Sequence, residues 1–525
     1  MKTFKLYSRL LGMALAGGVL LSACSESFLE TDTYTEKNEE TFYKTPEDAF
    51  EGLIAVYDNL QRVGYGHFIL TSELISDNCF GGFGKTDNTE ALEWNNFMQT
   101  SNPNLNGSLW KFNYQGIYRA NVLLEKLDQV EWGDQQKLKL RYEAEARFLR
   151  AHFHFELARV FGNIVAVDHV IREKEEYKTP QSSPEEIYAL IASDFKFAAE
   201  NLGEVANEDF GRASKWAAEA YLAKAYLFYT DYYEKPDLAG VVSKEEVIGY
   251  LEDLINNSGH HLVEDFSTLW PAASGEDYAG EDNKEFIWSV RYVNKGNDSW
   301  DFLEGNTWNV MIGLRNQIHP PYSKGWGAAP VRAELYRAYE NGDSRRDATI
   351  IGFDEEGVPF DDSDQRQYTG YAWKKYIPTA SSEEETDTEA DGGDFQRDNP
   401  EDYIVLRFAD VLLMAAELNL EVNSGKAQQY FNRVRERAFG GDPGHNKNVT
   451  KEAIMEERRL ELALEGHRYW DLIRNSMAKT KAAIDYTEGG EEYSTTFRPE
   501  TGGFLAIPYN QIQLSGGTLK QNEGW

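Results

Sequence analysis

Small and large apolar residues alternate at steps of four and three along several stretches of the chain. Ala144, Phe148, Ala151, Phe155 and Ala158 show it first. Ala218, Leu222, Ala225 and Tyr229 repeat it, as do Ala409, Leu413, Ala416 and Leu420, and then Ala427, Phe431, Val434 and Ala438. Residues so spaced share one face of a helix, and alternating Ala with bulky neighbours lets antiparallel helices approach closely and interlock. The pattern predicts a mainly α fold, with helix pairs stacked in the tetratricopeptide manner over about 40–257 and 402–475 of a single large domain. In the clearest pair, one helix spans about 402–421, Asn423-Ser424-Gly425 turns the chain, and a second helix starts near 426. Other helix starts are expected after Thr45-Pro46 and Ser183-Pro184, where Pro takes the first helical position, and near Thr450.

Between about 258 and 400 the periodicity gives way to Gly, Asn, Asp and aromatic residues, with short apolar runs such as Phe286–Val290 that read as strands. Residues 64–108 have the same loop-like character. Long irregular segments inside a large domain are usually functional or disordered, so ligand loops are expected here.

The first residues carry a different signal. Lys2, Lys5 and Arg9 precede an apolar run from Leu10 to Leu21, and Leu21-Ser22-Ala23-Cys24 closes it with small residues. That run falls short of the roughly 20 residues a membrane span needs, so 1–23 reads as a lipoprotein leader and 24–525 as a body tethered through acyl chains on Cys24. Ser25, Glu26, Glu30 and Asp32 after the Cys resemble the surface-export signal of Bacteroidetes lipoproteins. The expected address is the outer membrane, facing the exterior. With Cys24 acylated, Cys79 has no disulfide partner.

The formal charge of −35 excludes nucleic acid as a partner and argues against adhesion through anionic lipid head groups. The acidity gathers in runs such as Asp354–Glu356, Asp361 to Asp364 and Glu383–Glu385, which read as solvated or disordered insertions. Calcium is the one cofactor these runs bring to mind. None has the spaced Asp/Asn loop with a distal Glu, so no cofactor and no metal is assigned.

Catalytic motifs fare poorly. Arg458 with Glu461, Glu465 with Arg468, and Asp471 with Arg474 stand three apart on an expected helix, where mutual pairing accounts for them. Gly81-Gly82-Phe83-Gly84-Lys85-Thr86 ends like a phosphate loop, but the first glycine of that motif would fall on Cys79. His152 and His154 are two apart on a helix and point to different sides, and no G-x-S-x-G elbow is present. A non-catalytic protein is expected.

Taken together, four stretches resemble the SusD/RagB family of outer-membrane nutrient-binding lipoproteins. They are 28–60, 144–167, the helices in 407–439 and 457–474, and FLAIPYNQI (504–512) with QNEGW (521–525), the last two resembling the family's closing strand and tail. The resemblance implies a tetratricopeptide-like body, a variable loop-rich half, and work beside a SusC-like TonB-dependent transporter that receives captured oligosaccharides, less often peptides. The family places its ligand arc in the two loop segments. There, Trp300, Trp308, Tyr322, Trp326, Phe83 and Trp94 could lie flat against a sugar's C–H face, while Asp77, Asn78 and Arg315 supply hydrogen bonds. Trp308 and Trp326 lead, because the glycines around them (Gly313, Gly325 and Gly327) suggest exposed loop. The rival readings are a surface glycoside hydrolase, whose paired acids would be recognised only in space, and a peptide-binding or scaffold lipoprotein using the concave helical face.

Overall fold

A computed structural model describes residues 42–63, 67–98, 104–205, 209–295 and 304–525. The expected leader and Cys24 lie outside the described residues.

The apolar stripes become stacked helices. Helices α1 (Pro46–Val63), α2 (Asn104–Lys126), α3 (Gln136–Phe161), α4 (Pro184–Asn201), α5 (Lys215–Tyr232) and α6 (Lys244–Asn257) each pack on the next. Pro46 and Pro184 open α1 and α4 as expected, and Ser183 and Glu186 form a reciprocal cap at the start of α4. Ala144, Phe148, Ala151, Phe155 and Ala158 are all fully buried. The α2–α3 contact is so close that a Cβ on Gly116 would sit 2.3 Å from the Phe153 ring. Only a hydrogen fits there.

The array does not stop at α6. It resumes after the loop-rich half in α7 (Phe408–Asn419), which packs on α6, then α8 (Ser424–Ala438), α9 (Lys451–Glu461) and α10 (Arg468–Asn475), the last lying against α5. Strand β1 (Phe286–Val290) pairs antiparallel with β2 (Tyr403–Arg407), with Phe286 opposite Arg407 and Val290 opposite Tyr403. The helix expected over 402–421 is therefore corrected. Its first residues, Tyr-Ile-Val-Leu-Arg, are β-favouring and form a strand, and the helix begins only at Phe408. Two other expectations are corrected as well. The segment 64–108 contains the helices His67–Leu74 and Glu90–Asn95 and the start of α2. The closing stretch 504–512 pairs as no strand; Leu505 donates its N–H to the Val160 carbonyl, and a short helix runs Tyr509–Leu514.

The charged run in α9 and α10 behaves otherwise than its spacing suggests. Of the three expected pairs only Asp471–Arg474 forms, at 3.0 Å. Glu461 instead meets Arg345 (3.1 Å), Arg407 (3.0 Å) and Arg437, while Glu465 meets Lys375 (2.7 Å) and Arg407 (2.8 Å). Arg345 and Arg435 both hold Glu457 at 2.6 Å, and Glu285 joins Arg407 and Arg437. Arg458 bridges Asp410 (2.6 Å) and Asp471 (2.8 Å). These side chains are buried, so each charge needs partners on several sides, and one helix face cannot supply them. Burial alone would raise the Glu461 carboxyl, but Arg437, Arg407 and Arg345 outweigh it and hold its pKa at about 2.

Among the described residues no helix is long and apolar enough to cross a membrane, and no three His, Cys, Asp or Glu side chains converge to hold a metal ion. The Glu383–Glu385 run is solvated, and a capping box at Thr386 orders the chain directly after it.

Candidate functional site

Three loop segments meet in the irregular half through backbone pairing. Cys79 pairs with Val331, Gly82 with Ala328, and Gly84 with Gln365. Phe83 donates its N–H to the Gly327 carbonyl (2.7 Å) and accepts from the Arg366 N–H (2.9 Å). The glycines of this junction are demanded by contact. A Cβ on Gly84 would stand 2.0 Å from the Arg315 guanidinium, and one on Gly82, whose φ is +69°, would stand 2.3 Å from Pro330. That is the physical account of the run that ends like a phosphate loop.

Trp326 sits on this junction between Gly325 and Gly327, its backbone N–H given to the Val310 carbonyl (2.8 Å). The residue is half-buried, and its indole N–H has no partner among the described residues. Beside it Arg315 is held rigid. Its Nε donates to Asp364 (2.8 Å), one Nη reaches Asp87 (2.9 Å) and the other reaches the Trp326 carbonyl (3.4 Å). The Asp87 and Asp364 carboxylates remain 41% and 51% exposed, so each has acceptor capacity left for solvent or ligand. The Arg315 hydrogen bond draws the Asp364 carboxyl below its usual range.

A set of rings that the sequence reading did not single out lies beside Arg315. Phe353 stacks on Phe360 (centroids 4.4 Å, 17°), and Phe360 on Tyr368 (5.6 Å, 7°). Phe360 and Tyr368 are half-buried and line one crevice with Arg315, Gly327 and Gln365. Gly357, Pro359 and the acids between the rings break any helix or strand pattern and give the stretch the character of a solvated charge run.

Other expected platform residues are corrected. Trp308 is 1% exposed, wedged edge-on against Tyr376 (5.0 Å), Tyr403 (6.2 Å) and Trp373 (6.5 Å). A ring closed on all sides offers no face to a sugar. Tyr322 packs in a core with Leu314, Ile351, Phe353 and Ile377 and gives its hydroxyl to Glu356. Trp94 and Phe83 are buried, at 4% and 6% exposure. Trp300 lies outside the described residues.

Asp77 and Asn78 are brought to a different place. Arg468 grips both Asp77 carboxylate oxygens (2.7 and 2.9 Å) and Arg459 approaches at 3.0 Å. Burial would raise this carboxyl, but the two guanidinium groups hold it well below the usual carboxylate range. Asn78 is sealed, donating to Glu73 (2.8 Å) and accepting from Arg459 (3.1 Å). Neither is spare for a ligand at the Trp326 face.

Comparison with known proteins agrees with this architecture. A family model described as "SusD family" matches residues 360–525, and one described as "Starch-binding associating with outer membrane" matches 27–227. A SusD-like protein P2 from Formosa agariphila is 26% identical over the full length of both chains, and a SusD-like protein from Bacteroides ovatus is 27% identical over 89% of this chain and 82% of its own. Among solved structures, a laminarin-binding SusD-like protein superposes with a TM-score of 0.75 at 29% identity, over 92% of this chain and 100% of its own. Surface glycan-binding protein A from Bacteroides fluxus does so with 0.78 at 27%, again over 92% and 100%. Helical array, loop-rich half and matches at both ends of the chain point one way: this protein belongs to the SusD/RagB family and is associated with the outer membrane.

Proposed function

We propose that the chain is a non-catalytic surface lipoprotein, anchored through Cys24, that captures an uncharged oligosaccharide on the face around Trp326 and passes it to a SusC-like TonB-dependent transporter. The carrying observation is half-buried Trp326, whose backbone carbonyl is bonded by the Arg315 guanidinium, itself fixed by two partly exposed carboxylates. A ring of this kind removes water from one sugar face, while Asp87, Asp364 and the indole N–H hydrogen-bond the hydroxyls at its edge. Phe360 and Tyr368 extend the apolar ground for a neighbouring residue of the glycan. The printed activity of one relative, laminarin binding at 29% identity, favours a neutral glucan.

The charge around this face supports the same ligand class. Asp354, Glu355, Glu356, Asp361, Asp362 and Asp364 are exposed on the loops that carry the rings, and such a collar disfavours sulfated or uronic chains. Affinity is expected near micromolar, about −8 kcal/mol, because the ligand must be released after capture. Replacing Trp326 by Ala should abolish retention on immobilised laminarin while the thermal midpoint stays close to that of the parent chain. Full retention in that variant would refute the site. Cys24→Ala should release the protein from membranes, and incubation with laminarin should yield no new reducing ends; sustained turnover would favour the hydrolase reading.

A further inference from the structure

A cleft of about 490 Å³ is walled by α9, α10 and the loop that carries Tyr486, and it shares no lining residue with the crevice of Arg315, Phe360 and Tyr368. Its floor is basic in a chain whose formal charge is −35. Arg332, Arg459 and Arg468 converge there on a single carboxylate, that of Asp77.

Arg332 is the unusual member. It is 2% exposed, yet among the described residues it forms no ion pair. Its nitrogens donate to the Cys79 carbonyl (3.3 Å), the Ile484 carbonyl (3.2 Å) and the Thr495 hydroxyl (3.0 Å). Phe80 and Tyr486 cover its plane at 4.6 and 5.2 Å. A buried guanidinium without an opposite charge of its own is costly, and a shared Asp77 compensates only part of three. Arg459 and Arg468 each leave Nη1 without a hydrogen bond among the described residues, because their other nitrogens are spent on Asp77 and Asn78. The acids near the mouth do not close the deficit. Glu452 is paired with Lys479 (3.1 Å) and Glu334 with Arg337 (3.4 Å), which leaves Glu456.

We propose that this cleft binds a carboxylate-bearing small molecule of about sugar size, its carboxylate taken by the free guanidinium edges of Arg459 and Arg468 and its body resting against Tyr486. Each guanidinium keeps one Nη1, so the two together can give one charge-assisted bond to each oxygen of a carboxylate, whereas a tetrahedral anion would bring further oxygens that these donors cannot satisfy. The volume falls within the range of small-molecule sites. This site is independent of the neutral-glycan face, and the two can stand or fall separately.

The test is calorimetric titration of the purified chain with D-glucuronate, with glucose and inorganic sulfate as controls. Glucuronate should bind in the millimolar range or tighter, glucose should show no heat, and sulfate should bind more weakly than glucuronate. Arg459→Gln should weaken glucuronate at least tenfold while laminarin retention stays unchanged. Because that change also removes bonds to Asp77 and Asn78, Glu456→Gln provides the complementary arm: removing an exposed acid at the mouth should tighten glucuronate severalfold, an outcome misfolding cannot mimic. Absence of glucuronate binding, equal binding of glucose, or tighter binding of sulfate would overturn the proposal. So would an unchanged affinity in both variants.

Discussion

The helical array and the loop-rich half use the same residue types to opposite ends. In the array, small residues mark close approach between side-chain ridges, and Ala151 and Gly116 let bulky neighbours in. In the loop half, glycines mark close approach between backbones. A Cβ on Gly313 would meet the Lys324 carbonyl at 2.7 Å, and one on Gly325 the Val310 carbonyl at 2.2 Å. The lesson concerns tryptophan: a place in a loop-rich segment does not by itself expose the ring. Trp308, between Thr307 and Asn309, is core, whereas Trp326, directly between Gly325 and Gly327, is half-open.

The sharpest break of this contrast is at the charges that join the two halves. Arg407→Met should destabilise the fold by about 5 kcal/mol, because Glu285, Glu461 and Glu465 then lose a shared partner inside the protein, and chemical denaturation reads this directly. Trp308→Ala should cost about 4 kcal/mol by the same measurement, as the loss of a large core ring does. In the array, Ala151→Leu should cost about 1–3 kcal/mol through overpacking of the α3 stripe. Trp326→Ala completes the series, with about 1 kcal/mol or less in stability and the loss of glycan retention set out above. Equal stability losses at Trp308 and Trp326 would erase the distinction drawn here.

Acid sharpens the same comparison. Glu461 and Glu417 have folded pKa values lowered to about 2 from 4.5, since the guanidinium groups around each outweigh burial. A depressed carboxyl contributes stability above its unfolded pKa and loses it as pH falls toward the folded one. His154 and His152, kept neutral by burial with pKa values of about 3 and 4, push in the same direction across this range. Glu73, raised to about 7 by burial, stays protonated in the folded state, and its unfolded carboxyl takes up its proton near the top of this window, so it opposes the trend only slightly there. The thermal midpoint should therefore drop steeply between pH 4.5 and 2, and a flat profile in that window would contradict the ion lattice.

Much of the array was legible before any coordinates. The stripes through Ala144 to Ala158 and Ala427 to Ala438, the proline starts and the turn at Asn423 all rest on local rules, and local rules are what a single sequence carries. The strand Tyr403–Arg407 was absorbed into the helix after it, because short apolar runs fit both periods. The ion pairs were misassigned for a different reason. Spacing along one helix reports only partners on that helix, whereas Arg407 draws on residues 54 to 122 positions away. At the site, Arg315 and Trp326 were legible as types but not as neighbours. The Phe353–Phe360–Tyr368 stack is hidden in the sequence by Gly357, Pro359 and the acids between its rings, which leave no sustained element to read.

Solenoids built from repeats usually tolerate trimming, since each unit leans only on the next. Here the lattice around Arg407 and Glu461 gathers groups from positions 285, 345, 375, 407, 437, 461 and 465, so no subset of helices can be completed alone. Half-made intermediates would strand ionised groups in an apolar interior. Such an assembly arrives whole or not at all.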